Sequence, residues 1–579
     1  MHSIEIFING KPATVAPSIT ILEAARQQGI ELPSLCHHPD QRIKGNCRVC
    51  VVEVEGYKNL VPSCSTHVAP GMKITTNSPR VRDTVRTILE LIFADHPQEC
   101  LTCIRNGNCE LRQIAAKFGV RDIQGEKTKP TFSMDMSTPA LVRNPDKCIK
   151  CGRCAEACHH IQEVGILYTH NRSTDICITP EYGKQLNAVA CVLCGQCALV
   201  CPVGAIHEKD DTDRVWEALS DSGKHVIVQV APSVRVSLAE EFGLPSGEIA
   251  TGKMVSALRH LGFDKVFDTD FSADLTIIEE GNELLQRIKH NGVLPMLTSC
   301  SPGWINYAEH YYPEVLPHIS SCKSPQQMFG ALAKTYYPQK YAINPADIFV
   351  VSVMPCTAKK FEAQRAEMTA SGYQDVDVVL TTRELARMLR HEGVDFSKLP
   401  ETDFDTPLGI STGAAAVFGA TGGVMEAALR TVYEVATGNT LNDLEFTSLR
   451  GMKGFKTAEI DLAGRKVKVG IAHGLANAKK VMEMIKNGEG SDYTFIEIMC
   501  CPGGCIGGGG QPYGTTDVVR KARIASLYSV DLTMPLRKSH ENPGIKKLYE
   551  EFLYEPLGEV SHHLLHTVYT NRQQTHEQS

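Results

Sequence analysis

Residues 148–158 read CIKCGRCAEAC and residues 191–202 read CVLCGQCALVCP, so one cysteine pattern occurs twice. Each half has the spacing C-x2-C-x2-C-x3-C, in which three cysteines bind one [4Fe–4S] cluster and the fourth binds the other. The pattern predicts one cluster on Cys148, Cys151, Cys154 and Cys201, and a second on Cys158, Cys191, Cys194 and Cys197. We therefore assign residues 140–208 to a domain that holds two [4Fe–4S] clusters.

The whole sequence is long enough for several domains and unusually rich in cysteine. Its 579 residues predict three or four domains, and they include 22 cysteines. A net charge of -7 argues against nucleic-acid binding, and no run of about 18 apolar residues predicts a membrane span. The first residues lack the features of a signal peptide, so we expect a cytoplasmic protein, in which cysteines ligate metals more often than they form disulfides.

Residues 1–79 predict a first cluster domain. A strand from Glu5 precedes the hairpin turn signal Asn9-Gly10, and the helical segment 21–29 ends at a glycine. Four cysteines follow, with one close pair in a loop before the strand that begins at Val51, and this arrangement favours a [2Fe–2S] site over a structural zinc. The predicted ligands are Cys36, Cys47, Cys50 and Cys64.

Residues 80–125 predict a helical segment that leads into a second cysteine cluster. Cys100, Cys103 and Cys109 provide three thiolates, whereas a four-iron cluster needs four donors. His96 lies just before them, and imidazole can supply the fourth bond. The segment therefore predicts a histidine-ligated [4Fe–4S] site.

The sequence changes character from about residue 222. Near-continuous apolar strands at 225–230, 347–353 and 466–472 alternate with helical segments over about 300 residues. This alternation predicts a large α/β domain with mainly parallel sheets at 222–520, followed by a helical covering segment at 521–579.

Three distant cysteine-bearing segments lie within the large domain. They read TSCSPGW at 298–304, MPCTAKKFE at 354–362 and EIMCCPGGCIGGGGQP at 497–512. Two of them follow the ends of apolar strands, where catalytic groups of α/β domains are expected. The glycines after Cys505 would let the backbone approach a bulky group, and Lys359 could place a cation against an anionic ligand.

These three segments are similar to the signature motifs of [FeFe]-hydrogenases, and the order of cluster sites resembles the multi-cluster members of that family. The resemblance covers essentially the whole chain. It implies a multidomain α/β and α+β protein: a ferredoxin-like β-grasp domain, the histidine-plus-three-cysteine segment, a 2×[4Fe–4S] ferredoxin domain and an H-cluster domain. An H-cluster is a [4Fe–4S] cubane that shares one cysteine with a diiron azadithiolate unit bearing CO and cyanide.

The resemblance also implies roles for individual residues of the large domain. Cys505 would bridge the two parts of the H-cluster, and Cys356 and Cys501 would ligate the cubane. Lys359 would pair with one cyanide, and the diiron unit would further contact Pro232, Ser233, Gln326, Met354 and Met499.

The first motif departs from the family pattern. Where family members carry a Cys-Cys pair, this chain has Cys300-Ser301. By position, Cys300 would relay protons and Ser301 would stand at a cubane ligand position. By chemistry, a cubane prefers thiolate, so Cys300 is the alternative ligand. Cys322 and Cys500 are additional thiols that could also reach the cubane, and the simpler interpretation of each is a buried thiol without a role.

The family's proton path has counterparts at Glu280, Glu283, Arg287 and Ser320. Without the motifs, Glu283 and Arg287 would be interpreted as an ordinary i,i+4 helix pair. Burial can raise the pKa of a carboxyl group toward the working pH, which suits proton transfer.

The implied activity is reversible interconversion of hydrogen with protons and electrons. The long series of clusters resembles the catalytic subunit of NAD(P)-linked, electron-bifurcating hydrogenases, so we expect flavin- and NAD(P)-binding partner subunits, ferredoxin and maturation proteins as partners. A stand-alone ferredoxin-linked hydrogenase is one alternative. Another is a non-catalytic iron–sulfur protein with a sensory, assembly or electron-transfer role, which the Ser301 departure favours and the intact Lys359 and Cys501/Cys505 oppose. No strong G-x-G-x-x-G motif follows a strand.

Overall fold

The computed structural model describes residues 3–120, 132–462 and 465–573. The end of the predicted histidine-ligated segment, residues 121–125, and the end of the C-terminal segment, residues 574–579, lie outside the described residues.

The N-terminal region is a five-stranded sheet with one helix packed on it. The strand order is β2-β1-β5-β3-β4, with β1 and β5 parallel. Asn9 and Gly10 both have positive φ, as the predicted hairpin turn requires. The apolar residues of the helix face the same core as Ile6 and Ile8. The elements are β1 Ile4–Ile8, β2 Lys11–Val15, α1 Ile21–Gln27, β3 Val51–Val54, β4 Val61–Pro62 and β5 Lys73–Thr75.

Two helices form the next region, α2 Pro79–Asp95 and α3 Glu110–Lys117. Residues spaced four apart on α2 are buried, as its helical periodicity predicts. Ser78 caps the start of α2 by accepting a hydrogen bond from the backbone of Val81.

The region with the doubled cysteine pattern consists of short elements. Its two ends meet in an antiparallel pair, β6 with β9, in which Leu141 lies opposite Glu208. The two halves share one backbone form, because Gly152 and Gly195 both have positive φ directly before a short helix. The elements are β6 Leu141–Arg143, α4 Arg153–Glu156, β7 Tyr168–His170, β8 Cys177–Thr179, α5 Gln196–Leu199 and β9 Ile206–Glu208.

The large domain contains two four-stranded sheets. The first has the order β11-β10-β13-β14 and is entirely parallel. The second has the order β12-β17-β16-β15, with only β15 antiparallel to its neighbour. The strands are β10 His225–Val230, β11 Lys265–Asp268, β12 Met296–Leu297, β13 Ile348–Met354, β14 Val378–Thr381, β15 Phe455–Leu462, β16 Arg465–His473 and β17 Tyr493–Met499.

Helices cover these sheets and separate their strands in the sequence. The long helix α8 is largely buried, because α10, α14 and α15 all pack on it. The helices are α6 Thr212–Ser220, α7 Thr251–His260, α8 Thr269–Lys289, α9 Pro302–Tyr311, α10 Pro325–Lys334, α11 Tyr336–Tyr341, α12 Ala358–Ala363, α13 Thr382–His391, α14 Gly413–Ala416, α15 Gly423–Thr437 and α16 Leu475–Lys486.

The C-terminal segment packs along the large domain. Its helices are α17 Asp517–Thr533, α18 Pro543–Leu548 and α19 Glu559–Leu565. A β-bridge joins His566 to Cys322, so this segment covers the region beside α10. Among the described helices, none has both the length and the apolar character needed to cross a membrane.

Candidate active site

A buried cavity lies where the carboxyl ends of strands from both large sheets meet. Together with the space through which it opens to solvent, it has about 750 Å³ of empty space, and its walls are mainly apolar. Residues that follow β10, β12, β13 and β17 line it, as expected for a site in an α/β domain. The sulfur-bearing and polar lining residues are Thr269, Cys300, Ser301, Gln326, Met354, Cys356, Lys359, Met499, Cys500, Cys501 and Cys505, and Pro232 also lies on the wall.

Glycines bring the backbone close around the predicted cubane ligands. At Gly508, an added Cβ would lie 2.2 Å from the carbonyl oxygen of Pro355, directly before Cys356. Gly504 has a φ of +96° and precedes Cys505. A larger residue at position 508 would force the segments of Cys356 and Cys505 apart, whereas one at position 504 would collide with the backbone of residues 419–421.

The residues of the cavity fit a group that contains iron and can also form hydrogen bonds. Cys356, Cys501 and Cys505 offer thiols at one side of it. Among the described residues, Gln326 Oε1 and Ser233 Oγ are buried without a hydrogen-bond partner. Buried polar atoms are rarely left unpaired, so a bound group would satisfy them. Ser233 lies behind the wall, next to Gly419.

Lys359 places a positive charge on this wall. Its side chain is 10 % exposed, and its Nζ donates to Ser324 Oγ at 2.6 Å and to Glu362 Oε2 at 2.8 Å. It also donates to the Cys300 carbonyl oxygen at 3.2 Å. A buried ammonium held by such bonds is a fixed partner for an anionic ligand.

Cys300 and Glu280 form the buried end of the predicted proton path. Burial raises the pKa of the Cys300 thiol, and the nearby Glu280 carboxylate raises that pKa further. Burial also raises the pKa of Glu280 to about 8, with Glu283 as the second cause. Since a raised carboxyl pKa favours the protonated form, Glu280 can hold a proton near neutral pH.

Glu283, Ser320 and Arg287 continue from Glu280 toward the surface. Ser320 Oγ donates to Glu283 Oε2 at 2.8 Å, and Arg287 Nη2 donates to Glu283 Oε1 at 2.6 Å. Ser320 is fully buried, whereas the side chains of Glu283 and Arg287 are 12 % and 16 % exposed. Glu283 and Arg287 therefore form the i,i+4 ion pair, and Glu283 also belongs to the hydrogen-bond network that contains Ser320.

The C-terminal segment adds groups to this network that sequence reasoning missed. His566 Nδ1 lies 2.8 Å from Ser321 Oγ, and the backbone N–H of Ser321 donates to Glu283 Oε2 at 3.1 Å. Cys322 Sγ lies 3.9 Å from Glu283 Oε2. The contact of His566 with Ser321 joins residues 245 positions apart, and no local motif marks His566, so the sequence offered no signal for it.

The doubled cysteine pattern forms two separate cavities. One is lined by Cys148, Cys151, Cys154 and Cys201, and the other by Cys158, Cys191, Cys194 and Cys197. Each cavity thus collects three cysteines of one half and the fourth cysteine of the other half. Cys177 lies outside both, on β8.

The second of these cavities adjoins the active-site segments directly. Gly195 packs against Gly509, where an added Cβ would lie 3.1 Å from the facing Cα. Thr357 Oγ1 donates to the Leu193 carbonyl oxygen at 2.7 Å. The loop of Cys194 therefore touches the segments that carry Cys356 and Cys505, which gives a short route between the two sites.

The N-terminal cysteines are also brought together. The thiols of Cys36, Cys47, Cys50 and Cys64 contact one another, and the Cys47 backbone N–H donates to Cys36 Sγ at 3.5 Å. In the next region, His96 follows the last residue of α2, and Cys109 precedes the first residue of α3. Cys100 and Cys103 lie in the loop between them, with Cys103 Sγ beside Gly204.

Comparison with known protein families identifies each part of the chain. Residues 224–509 match the iron only hydrogenase large subunit, C-terminal domain, and residues 517–572 match the iron hydrogenase small subunit. Residues 2–79 match a 2Fe-2S iron-sulfur cluster binding domain, residues 86–124 the NADH-ubiquinone oxidoreductase-G iron-sulfur binding region, and residues 144–205 a 4Fe-4S dicluster domain.

Individual relatives extend this likeness to the full length. The NADP-reducing hydrogenase subunit HndD of Solidesulfovibrio fructosivorans is 49 % identical over 99 % of this chain and 100 % of its own. Iron hydrogenase 1 of Clostridium pasteurianum is 42 % identical over 97 % and 99 %. A solved structure of a variant of apo [FeFe]-hydrogenase HydA1 from Chlamydomonas reinhardtii, 44 % identical, superimposes with a TM-score of 0.55 and covers 62 % of this chain and 98 % of its own.

Proposed function

Because this chain belongs to the family of iron-only hydrogenases, we propose that the cavity described above is the site at which it interconverts hydrogen with protons and electrons. The sequence-based assignments of family, fold class and enzyme class are confirmed by these comparisons. The arrangement of thiols, the Lys359 ammonium and the unpaired Gln326 Oε1 on one wall is the observation that supports this location most strongly.

When bound in the cavity, an H-cluster would supply the iron at which hydrogen is split or formed. Cys356, Cys501 and Cys505 would hold it, and Lys359 would pair with an anionic ligand such as cyanide. Gln326 would direct its unpaired Oε1 toward the same group, and the apolar side chains of Met354 and Met499, with Pro232, would exclude water. Ser233, which lies behind Gly419, would contact the group only if the wall shifts.

The chain's own side chains would move protons between the cavity and the surface. Cys300 Sγ would hold a proton at the cavity, and Glu280 would exchange it because its pKa of about 8 lies near neutral pH. Ser320 Oγ and the carboxylate of Glu283 continue this route, and Arg287 fixes the orientation of that carboxylate.

Electrons would travel through four further clusters in our proposal: one [2Fe–2S] site, one histidine-ligated [4Fe–4S] site and two ferredoxin-type [4Fe–4S] sites. Gly195 packs directly on Gly509, and this contact supports the cluster predicted to bind Cys194 as the one next to the active site. The contact of the four N-terminal thiols supports the [2Fe–2S] assignment.

For its physiological role, we propose that this chain is the hydrogen-converting subunit of an NADP- and ferredoxin-linked, electron-bifurcating complex. The full-length likeness to a subunit of an NADP-reducing hydrogenase supports this role. Flavin and NADP would then be bound by partner subunits, and maturation proteins would install the diiron unit. A cytoplasmic location fits such partners and stays a prediction.

Anaerobic assays of the isolated chain separate this role from a stand-alone ferredoxin-linked hydrogenase. With hydrogen as the reductant, we expect the isolated chain to reduce methyl viologen but not NADP⁺, and to gain NADP⁺ reduction when a flavin-containing partner subunit is added. Efficient reduction of ferredoxin by the isolated chain, with no gain from that partner, would support the stand-alone alternative.

A non-catalytic iron–sulfur role is the second candidate function, and the serine at position 301 is the one observation that favours it. A protein of this class would carry clusters without hydrogen turnover. Methyl viologen-dependent hydrogen evolution by the matured chain would exclude this candidate.

A further inference from the structure

The cavity wall differs from the family pattern at two positions. A serine replaces the cysteine expected at position 301, and an additional cysteine stands at position 500. Position 301, where the family has a cubane ligand, carries a serine whose hydroxyl lies on the wall. Iron–sulfur clusters are held by deprotonated cysteine, and a hydroxyl is a weaker donor to iron in such clusters. Cys500, which directly precedes Cys501, is the additional thiol on the same wall.

Cys300 is already used in the proposed mechanism. It lies near Glu280 and Cys505, and its carbonyl oxygen accepts a hydrogen bond from Lys359. If Cys300 turned to ligate the cubane, the proton path would lose the thiol that connects it to the cavity.

Cys322 lies away from the cavity wall, among the groups of the proton path. Its Sγ is 3.9 Å from Glu283 Oε2 and 4.0 Å from His566 Nδ1. Cys322 is therefore a poor candidate for a cubane ligand.

Cys500 contacts both Ser301, which stands at the usual ligand position, and Cys501, a predicted cubane ligand. Its backbone N–H donates to Ser301 Oγ at 3.1 Å, and its thiol contacts the thiol of Cys501. The side chain is 4 % exposed, and Gln162 Nε2 lies 3.7 Å from its Sγ, where an amide can support a ligating sulfur.

The first turn of α9 leaves room for this thiol. At Gly303, an added Cβ would lie 2.7 Å from Cys500 Sγ, so a larger residue there would displace the sulfur. The Cys500 thiol also contacts Cys194. The cavity of Cys194 is already lined by four cysteines, so the cluster there does not need Cys500 as a ligand.

From this geometry we propose that Cys500, and not the hydroxyl of Ser301, supplies the fourth ligand of the cubane. On ligation, the Cys500 thiol loses its proton to solvent and forms one Sγ–Fe bond, so no oxidant or reductant is required. This inference rests on the proposed function, because it concerns the cubane of the same site.

The test uses the full chain, produced without maturation proteins and reconstituted anaerobically with iron and sulfide. Iron per chain and the electron paramagnetic resonance spectrum are measured for the parent, Cys500→Ala, Ser301→Ala and the double variant Ser301→Cys/Cys500→Ala. Cys177→Ala is the matched control, since Cys177 is a buried thiol outside every predicted ligand set. Each protein is then incubated with a synthetic diiron mimic, and its infrared CO and cyanide bands are recorded.

We expect Cys500→Ala to lose about four iron atoms per chain, the content of one cubane, and to show no normal infrared bands. Ser301→Ala and Cys177→Ala should keep both the iron and the bands. The double variant should regain them, because it returns a thiol to position 301; this recovery would show that Cys500→Ala had not simply unfolded the site.

Full iron content and normal bands in Cys500→Ala would overturn the proposal, as would loss of the cubane in Ser301→Ala alone. Absence of the bands from the matured parent would contradict the proposed function instead. The iron count would still decide the role of Cys500, because it does not depend on the diiron unit.

Discussion

Replacement of Glu280 by glutamine should produce an enzyme that is slower and yet more stable near neutral pH. Glutamine keeps the shape of the side chain but cannot exchange a proton between Cys300 and Ser320. Proton transfer by a positioned side chain typically contributes about 10² to 10⁴-fold to a rate. We therefore expect hydrogen evolution to fall by about this factor, which corresponds to roughly 3–5 kcal/mol of activation free energy.

The stability gain follows from the raised pKa of Glu280. Burial raises that pKa from 4.5 to about 8, so the folded state holds a proton that the unfolded state releases above about pH 4.5. Stability contributed by this group is present at low pH and is lost progressively as the pH rises from about 4.5 to about 8. At about pH 7 the free energy of unfolding of the parent is lower by up to about 3 kcal/mol, at 1.36 kcal/mol for each pH unit. Glutamine does not titrate, so Glu280→Gln does not incur this loss.

The assay compares three proteins anaerobically: the parent, Glu280→Gln and the matched control Glu279→Gln. Glu279 is a buried neighbour on α8. It accepts hydrogen bonds from Tyr549 and from the backbone N–H of Leu557, and its Oε2 lies 3.2 Å from His566 Nε2. This variant therefore also tests whether the His566 side of the network carries protons. Methyl viologen-dependent hydrogen evolution, infrared spectra and thermal unfolding are measured at about pH 5 and about pH 7.

Glu280→Gln should keep the infrared bands of the parent, lose turnover, and unfold at a temperature a few degrees higher at about pH 7, with a smaller gain at about pH 5. Glu279→Gln should keep most of the turnover. The reasoning is refuted if Glu280→Gln turns over at the parent rate, or if both variants lose turnover equally.

Substitutions at Lys359, Ser320 and His96, with two controls, address other parts of the protein. Lys359→Met should leave the cubane signal intact but prevent uptake of the diiron unit, so that infrared CO and cyanide bands are weak or missing; normal bands would argue against an anionic partner for this lysine. Ser320→Ala removes the hydroxyl that donates to Glu283 at 2.8 Å and should slow turnover about tenfold or more with unchanged bands, whereas Ser321→Ala should have the smaller effect if Ser320 is the relay. His96→Ala should lower the iron content by about four per chain and His96→Cys should retain it; equal iron in both would show that His96 is not a ligand.

The repeated local patterns in the sequence predict much of this fold. The Asn9-Gly10 turn, the spacing of buried residues on α2 and the strands β10, β13 and β16 follow from turn chemistry and periodicity. Each of these signals depends on backbone conformation and side-chain spacing within a few residues, so a short stretch of sequence is enough to show it.

Contacts between distant segments were beyond the reach of such patterns. Two strands, β15 and β16, form an antiparallel pair at the edge of a sheet whose other pairs are parallel, and no sequence signal gave their order. The approach of His566 to Ser321 and of Cys500 to Ser301 depends on how whole elements pack. For the same reason, the sequence left open whether Cys300 or Ser301 completes the cubane, and the position of Cys500 on the wall suggests a third answer.

The most direct test of the central claim combines infrared spectra with hydrogen evolution from reduced methyl viologen, on anaerobic protein before and after loading with the synthetic diiron mimic. Before loading, we expect iron–sulfur signals without CO or cyanide bands and without turnover. After loading, the bands and hydrogen evolution should appear together. Iron–sulfur signals that persist after loading, with neither bands nor turnover, would contradict the assignment of this cavity as a hydrogen-converting site.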